Sequence, residues 1–206
     1  MDASKPKRRT GLLVLILSIP PVIAAAILTA HPSDHTMLTV IRGAAMLGYM
    51  YVFLACLSSL FVLDLMRYFG RPYLSIHHTV AISGLTLLSI HGASVVLHLG
   101  KISVLLPRLS SAQHFFTWGG PPAYMLIWTA VVAAGLRIAI GTRWRVLHWL
   151  IYVAFMLATA HGLLIGTDFR HDALKWGPAT MAIIVAAVFI NKRLRERTSR
   201  GGGKSA

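Results

Sequence analysis

Three observations predict an all-α membrane protein, a bundle of six transmembrane helices. The apolar residues come in blocks of about 20, the helix length that crosses a ~30 Å hydrocarbon core at ~1.5 Å per residue. Hydrophobic residues make up 56% of the 206-residue chain and charged residues only 13%, a balance that does not suit a water-soluble domain. The basic residues between those blocks are distributed unequally over the two sides that a multi-pass chain would have.

Taken in order, residues 1–10, MDASKPKRRT, form a short basic cytoplasmic tail. The first apolar segment, 11–30, has the basic start and apolar run of a signal peptide. It is longer than a usual h-region, and Pro20-Pro21 kink its middle, so it reads as a retained first span. Residues 31–39 form a polar loop. The remaining spans are 41–66, 74–99, 121–140, 145–166 and 173–190, and together 11–190 make the membrane domain. The tail 191–206, NKRLRERTSRGGGKSA, reads as a basic helix end running into a flexible Gly-rich terminus.

Six spans place both termini on one side. With that side inside, 15 of the 20 lysines and arginines are internal, and only Arg42, Lys101, Arg108, Arg170 and Lys175 are external. The excess follows the positive-inside rule and puts both termini in the cytoplasm, as in a bacterial inner-membrane protein. The same distribution accounts for the formal net charge of +14: basic residues gather at membrane boundaries, where they attract anionic lipid, and no basic folded region outside the membrane is left for nucleic acid. The single cysteine, Cys56, excludes a disulfide, a Cys-ligated iron–sulfur cluster and the C-x-x-C-H attachment of a c-type haem. The external loop 100–120, with Gln113, His114, Phe115, Phe116 and Trp118, has the composition to lie on the outer membrane surface.

The histidines carry the chemistry. The third span holds His77, His78, His91 and His98, and the fifth holds His148 and His161. Ionisable side chains within a span are costly to desolvate, so they mark function by default. Both spans run from inside to outside. His77 or His78 and His148 are near the inner face, with His91 and His161 13 or 14 residues further out, or ~20 Å of helix. That separation suits two stacked porphyrins, each taking one neutral imidazole from each of two helices. The expected sites are therefore two b haems between spans three and five.

Helical phase favours His77 over His78: at ~100° per residue, His77 and His91 are ~40° apart, whereas His78 and His91 are ~140° apart. The 13-residue step from His148 to His161 is out of phase on a regular helix, and a π-bulge or change of local pitch would repair it. Phe155, midway along that step, could stand between the two rings, although a buried aromatic is also ordinary packing. Arg71, Arg143 and Arg145 inside, and Lys101 and Arg108 outside, could pair with haem propionates, but as topology determinants they need no such role. His98 reads as interfacial. His31, His35, His114 and His171 read as solvated loop residues, with an outer metal-capturing cluster as the sharper alternative. Asp64 and Arg67 make an i,i+3 pair.

This pattern resembles the ferric reductase transmembrane domain shared by NADPH oxidases, ferric reductases and the bacterial MsrQ proteins. Members have six spans, with two histidines on the third and two on the fifth that bind two b haems. The spacings of 14 and 13 residues and the run His77-His78-Thr79-Val80-Ala81 carry the resemblance, which covers roughly residues 41–190. It implies His77 with His148 and His91 with His161 as axial pairs. About sixteen residues follow the last span, with no G-x-G-x-x-G after a strand, unlike the eukaryotic members with their cytoplasmic flavin and nicotinamide domain. The terminal GGGKS matches a P-loop in letters only.

The expectation is a b-type dihaem electron-transfer protein. Its donor would be a cytoplasmic flavoprotein, a bound flavin or a membrane quinol. Its outer-face acceptor would be ferric iron, oxygen or a partner reductase. It would thus serve as the membrane subunit of an oxidoreductase, with the cofactor and no protein side chain carrying the reaction. The alternative is a non-redox transporter whose intramembrane histidines relay protons or bind a metal ion.

Overall fold

A computed structural model describes residues 4–69, 73–108 and 110–202. It is helical throughout, with no strand among the described residues. In chain order the helices are α1 (Ser4–Ala30), α2 (Thr36–Leu60), α3 (Val62–Phe69), α4 (Tyr73–Leu99), α5 (Ala112–Thr117), α6 (Gly120–Gly135), α7 (Arg137–Ile140), α8 (Trp144–His148), α9 (Leu150–Ile165) and α10 (Asp172–Gly202). Short 3₁₀ turns at Ile102–Leu105, Gly141–Arg143 and Thr167–Arg170 lie between them.

Five stretches are long and apolar enough to cross a membrane: Gly11–Ala30, Thr36–Leu60, Leu74–Leu99, Arg137–Ile165 and Asp172–Arg195. Their large side chains are widely exposed, among them Val14, Val22, Ile82, Leu97, Val153 and Ile183. Contiguous exposed apolar surface on this scale belongs against lipid rather than water. The chain is an all-α membrane protein.

The extents differ from the expected ones in three places. The second span begins at Thr36 and breaks at Phe61, so that the polar loop is shorter and Asp64 and Arg67 lie on the separate helix α3. The segment expected at 121–140 divides at Leu136 into α6 and the single turn α7. At 16 residues, α6 is ~24 Å long, below the usual length of a span. Beyond residue 190, α10 continues to Gly202.

The chain divides into two compact units: Met1–Ala55 with Phe61–Ile102, and Cys56–Leu60 with Ser103–Ala206. In the first, α2 and α4 run antiparallel at close range because glycines face the contact from both sides. A Cβ on Gly48 would fall 2.9 Å from Leu88 Cδ2 and 3.1 Å from Leu88 N, and one on Gly84 would fall 3.1 Å from Val52 Cγ2 and 3.2 Å from Val52 N. Small residues at a helix crossing bring two backbones together where no hydrophobic force separates protein from lipid. Gly43 admits the Leu28 side chain of α1 to the same helix. α4 ends at Gly100, whose φ of 64° is open to glycine at little cost.

In the second unit, α6 packs on α8 and α9, and α9 also contacts α5 and α10. Pro121 and Pro122 open α6, where their missing N–H groups would have had no helical partner. Gly141, at φ 57°, turns the chain from α7 toward α8. The expected surface loop contains α5, capped by the Ser111 hydroxyl, which accepts from the His114 N–H at 3.1 Å. The Ser59 and Tyr152 hydroxyls share a 2.7 Å hydrogen bond that ties the end of α2 to α9.

Candidate functional site

His77 and His91 lie on the uninterrupted helix α4, so the 14-residue step between them keeps its regular phase. His77 is half-buried and His78 exposed, with ring centroids 5.8 Å apart. Seven residues beyond the Gly84 contact, the half-buried His91 directs Nδ1 at the Ile41 carbonyl of α2, 3.0 Å away. Both residues lie on the faces that the glycines bring together. Close approach of the two backbones is what lets a short imidazole reach a main-chain acceptor on the neighbouring helix.

The second unit repeats this arrangement twice. His148, at the end of α8, has Nδ1 3.1 Å from the Ala130 carbonyl of α6. His161, on α9, has Nδ1 2.9 Å from the Thr117 carbonyl at the end of α5. A carbonyl oxygen can only accept, so in all three histidines Nδ1 carries the proton and, in the neutral ring, Nε2 carries the lone pair. A metal-ligating histidine is prepared in this way: the second nitrogen's hydrogen bond fixes tautomer and ring orientation.

Gly120 gives the His161 ring its room. A Cβ there would lie 2.9 Å from His161 Nε2, 3.1 Å from Cε1 and 3.2 Å from Cδ2. Any larger residue would displace the imidazole from the position that its Thr117 bond defines.

The segment between His148 and His161 departs from a regular α-helix immediately after His148. Trp149 separates α8 from α9, its N–H shared between the Arg145 and Val146 carbonyls at 3.2 Å each. The Tyr152 N–H then reaches the Trp149 carbonyl at 3.0 Å, an i→i+3 bond. A 3₁₀ step turns ~120° per residue against ~100° in an α-helix, so the break overwinds the segment and rotates His148 toward the phase of His161. Three aromatic contacts hold the neighbourhood: Trp144 against the His148 ring at 5.7 Å, Arg193 over the Trp149 ring at 3.9 Å, and Tyr152 against Phe189 at 4.7 Å.

The other expected residues divide. Phe155 is buried on α9, 1% exposed, with its carbonyl accepting from the Thr159 hydroxyl at 2.8 Å. Arg145 is exposed beside Trp144, 6.0 Å from the ring centre, one aromatic ring removed from His148. Arg108 stacks on Trp118 at 4.3 Å, next to the carbonyl that holds His161. Arg71 lies outside the described residues. No group of three or more His, Cys, Asp or Glu side chains that could hold a metal ion occurs among the described residues.

Ile41, Thr117 and Ala130 were invisible beforehand as partners, because they act through main-chain carbonyls that every residue possesses. Gly120 had a visible signal: Gly119-Gly120 before Pro121-Pro122 is an unusual opening for an apolar helix. No protein-family model, curated protein or solved structure matches the chain.

Proposed function

We propose that the chain is a b-type dihaem membrane protein that passes electrons from a cytoplasmic flavoprotein or quinol donor to an acceptor at the outer face, such as ferric iron, oxygen or a partner reductase. In this reading the chain crosses the membrane six times. By the sequence reading, His77 and His148 would hold the inner haem, and His91 and His161 would hold the outer one. The observation that carries the reading is the recurrence of one bond: His91, His148 and His161 each commit Nδ1 to a backbone carbonyl. That bond leaves the lone pair on Nε2, the atom that haem iron would take.

The residues present fit such a group. The candidate ligands are imidazoles on stretches long and apolar enough to span, and Gly120 makes space at one of them. Bound haem would supply the one-electron chemistry of its iron. The protein's own share is to hold each imidazole in one tautomer, to keep water from the buried helix faces, and to offer Arg145 and Arg108 to carboxylate groups near the two ends.

The same bonds weigh against the proton-relay alternative. A relay histidine takes a proton on one ring nitrogen and releases it from the other, and a backbone carbonyl cannot pass that proton on. The test is the absorption spectrum of the purified protein with a pyridine haemochrome assay. Reduced low-spin b-haem bands and about two haems per chain are expected. A colourless protein from haem-replete cells would overturn the proposal.

A further inference from the structure

A cavity of about 340 Å³ lies in the second unit near the start of α10, lined by Leu163, Asp172, Lys175, Trp176 and Ala179. Four of these residues are on α10 at the spacing i, i+3, i+4 and i+7, which places them in one stripe along the helix, and Leu163 completes the wall from α9. The stripe is graded. Its first turn holds Asp172 and Lys175, joined by a 2.6 Å ion pair. Trp176 follows, 73% exposed, and then Ala179. From Asp172 to Ala179 is ~10 Å of helix, against the roughly 5–8 Å that separates the hydrocarbon core from water on one side of a bilayer. Charge, amphipathic ring and apolar surface thus succeed one another as headgroup, glycerol and acyl chain do in a phospholipid. Tryptophan favours the middle level.

The ion pair does not close the site. With the pair formed, the Asp172 side chain is still 91% exposed and that of Lys175 47%. A carboxylate accepts through two oxygens and an ammonium donates three N–H groups, and the bond from Lys175 to Asp172 Oδ1 uses one of each. The pair therefore presents an acceptor and a donor side by side, with no net charge.

We propose that this cavity is a discrete binding site for one zwitterionic phospholipid with a primary ammonium, phosphatidylethanolamine. Its ammonium donates to the Asp172 carboxylate, its phosphate accepts from the Lys175 ammonium, and an acyl chain lies along Trp176, Ala179 and Leu163. Four charges then alternate in sign around the mouth of the cavity, each bonded to its opposites. Charge complementarity selects this occupant. Phosphatidylglycerol brings an anion that Lys175 attracts and Asp172 repels, with no cation in exchange. Phosphatidylcholine brings a quaternary ammonium, which has no N–H to donate to the carboxylate. The site requires only that the chain lie in a membrane, so it stands or falls separately from haem binding.

The test uses the full-length chain in mild detergent. It is titrated with phosphatidylethanolamine, phosphatidylglycerol or phosphatidylcholine, and bound lipid is counted by native mass spectrometry. The wild type should retain one phosphatidylethanolamine at a concentration about tenfold below that needed for either other lipid. Asp172→Asn leaves the cation alone, so the preference should pass to phosphatidylglycerol. Lys175→Gln removes the phosphate's partner and should lower retention of phosphatidylethanolamine to the phosphatidylcholine level. Asp64→Asn, at the exposed i,i+3 pair of α3, should leave the preference intact. Equal retention of phosphatidylcholine by the wild type would overturn the site, because the Trp176 ring rather than the ion pair would then be what reads the headgroup. A wild-type preference for phosphatidylglycerol, or equal losses in Asp172→Asn and Asp64→Asn, would overturn it as a diffuse surface attraction. Glycerophosphoethanolamine, the headgroup without acyl chains, should compete poorly, and competition as good as the lipid's would contradict a lipid site. Asp172 and Lys175 are both at the surface, so a loss of fold in one variant leaves the other to decide the outcome.

Discussion

The two units solve the same problem with different helices. In the first, α4 carries His77 and His91 without interruption, and the close contact that anchors His91 comes from reciprocal glycines, Gly48 and Gly84. In the second, the corresponding segment is broken at Trp149, and the anchors for His148 and His161 come from separate helices, α6 and α5. The spacing explains the difference. Fourteen residues return nearly to the starting face of an α-helix and thirteen do not, so only the second segment needs a local change of pitch. The break in turn needs support, which Arg193 over Trp149 and the Ser59–Tyr152 bond provide. A regular helix is held by its own ladder, whereas an irregular one borrows stability from its neighbours.

Substitutions that remove an anchored ring should have the largest effect. His91→Ala in the first unit and His161→Ala in the second should each lower haem content by about half, read by pyridine haemochrome, and leave the remaining haem in place. Loss in neither variant would break the equivalence of the two units.

Crowding the glycines comes next. Gly48→Val and Gly120→Val should each cost about 1–3 kcal/mol by overpacking, measured as reversible denaturation in detergent. Their consequences should differ. A branched residue at 48 meets the Leu88 main chain and loosens α2 from α4, whereas one at 120 meets the His161 ring and should also reduce haem content.

Tyr152→Phe tests the support of the broken segment. The Ser59 hydroxyl also donates to the Cys56 carbonyl at 2.8 Å, so it is not orphaned, and the cost should be about 0.6 kcal/mol, typical of a hydrogen bond between membrane helices. The smallest effect is expected at α3. Asp64 and Arg67 approach to 3.9 Å with both side chains largely exposed, so Asp64→Asn should change stability by less than about 0.5 kcal/mol.

Five apolar stretches long enough to span were legible in the sequence, because lipid imposes a length and a composition that single residues cannot disguise. Their ends were less so. The break at Phe61 falls inside an apolar run, and the division at Leu136 follows a glycine that pattern alone does not distinguish from a packing glycine. The break at Trp149 was not legible either, because the 13-residue histidine spacing calls for a change of pitch only if both rings face one site. The carbonyl anchors were illegible for a general reason: a side chain's partner can be read from residue type only when the partner is also a side chain.

The central claim is that imidazoles held by their Nδ1 bonds present Nε2 to iron. Low-temperature electron paramagnetic resonance of the oxidised, purified protein tests it directly. Six-coordinate iron with imidazole on both faces gives low-spin ferric signals that account for the haem present, and His161→Ala should convert or remove one of them. An axial high-spin signal that accounts for the wild-type haem, or a low-spin spectrum indifferent to loss of His91 and His161, would contradict the account.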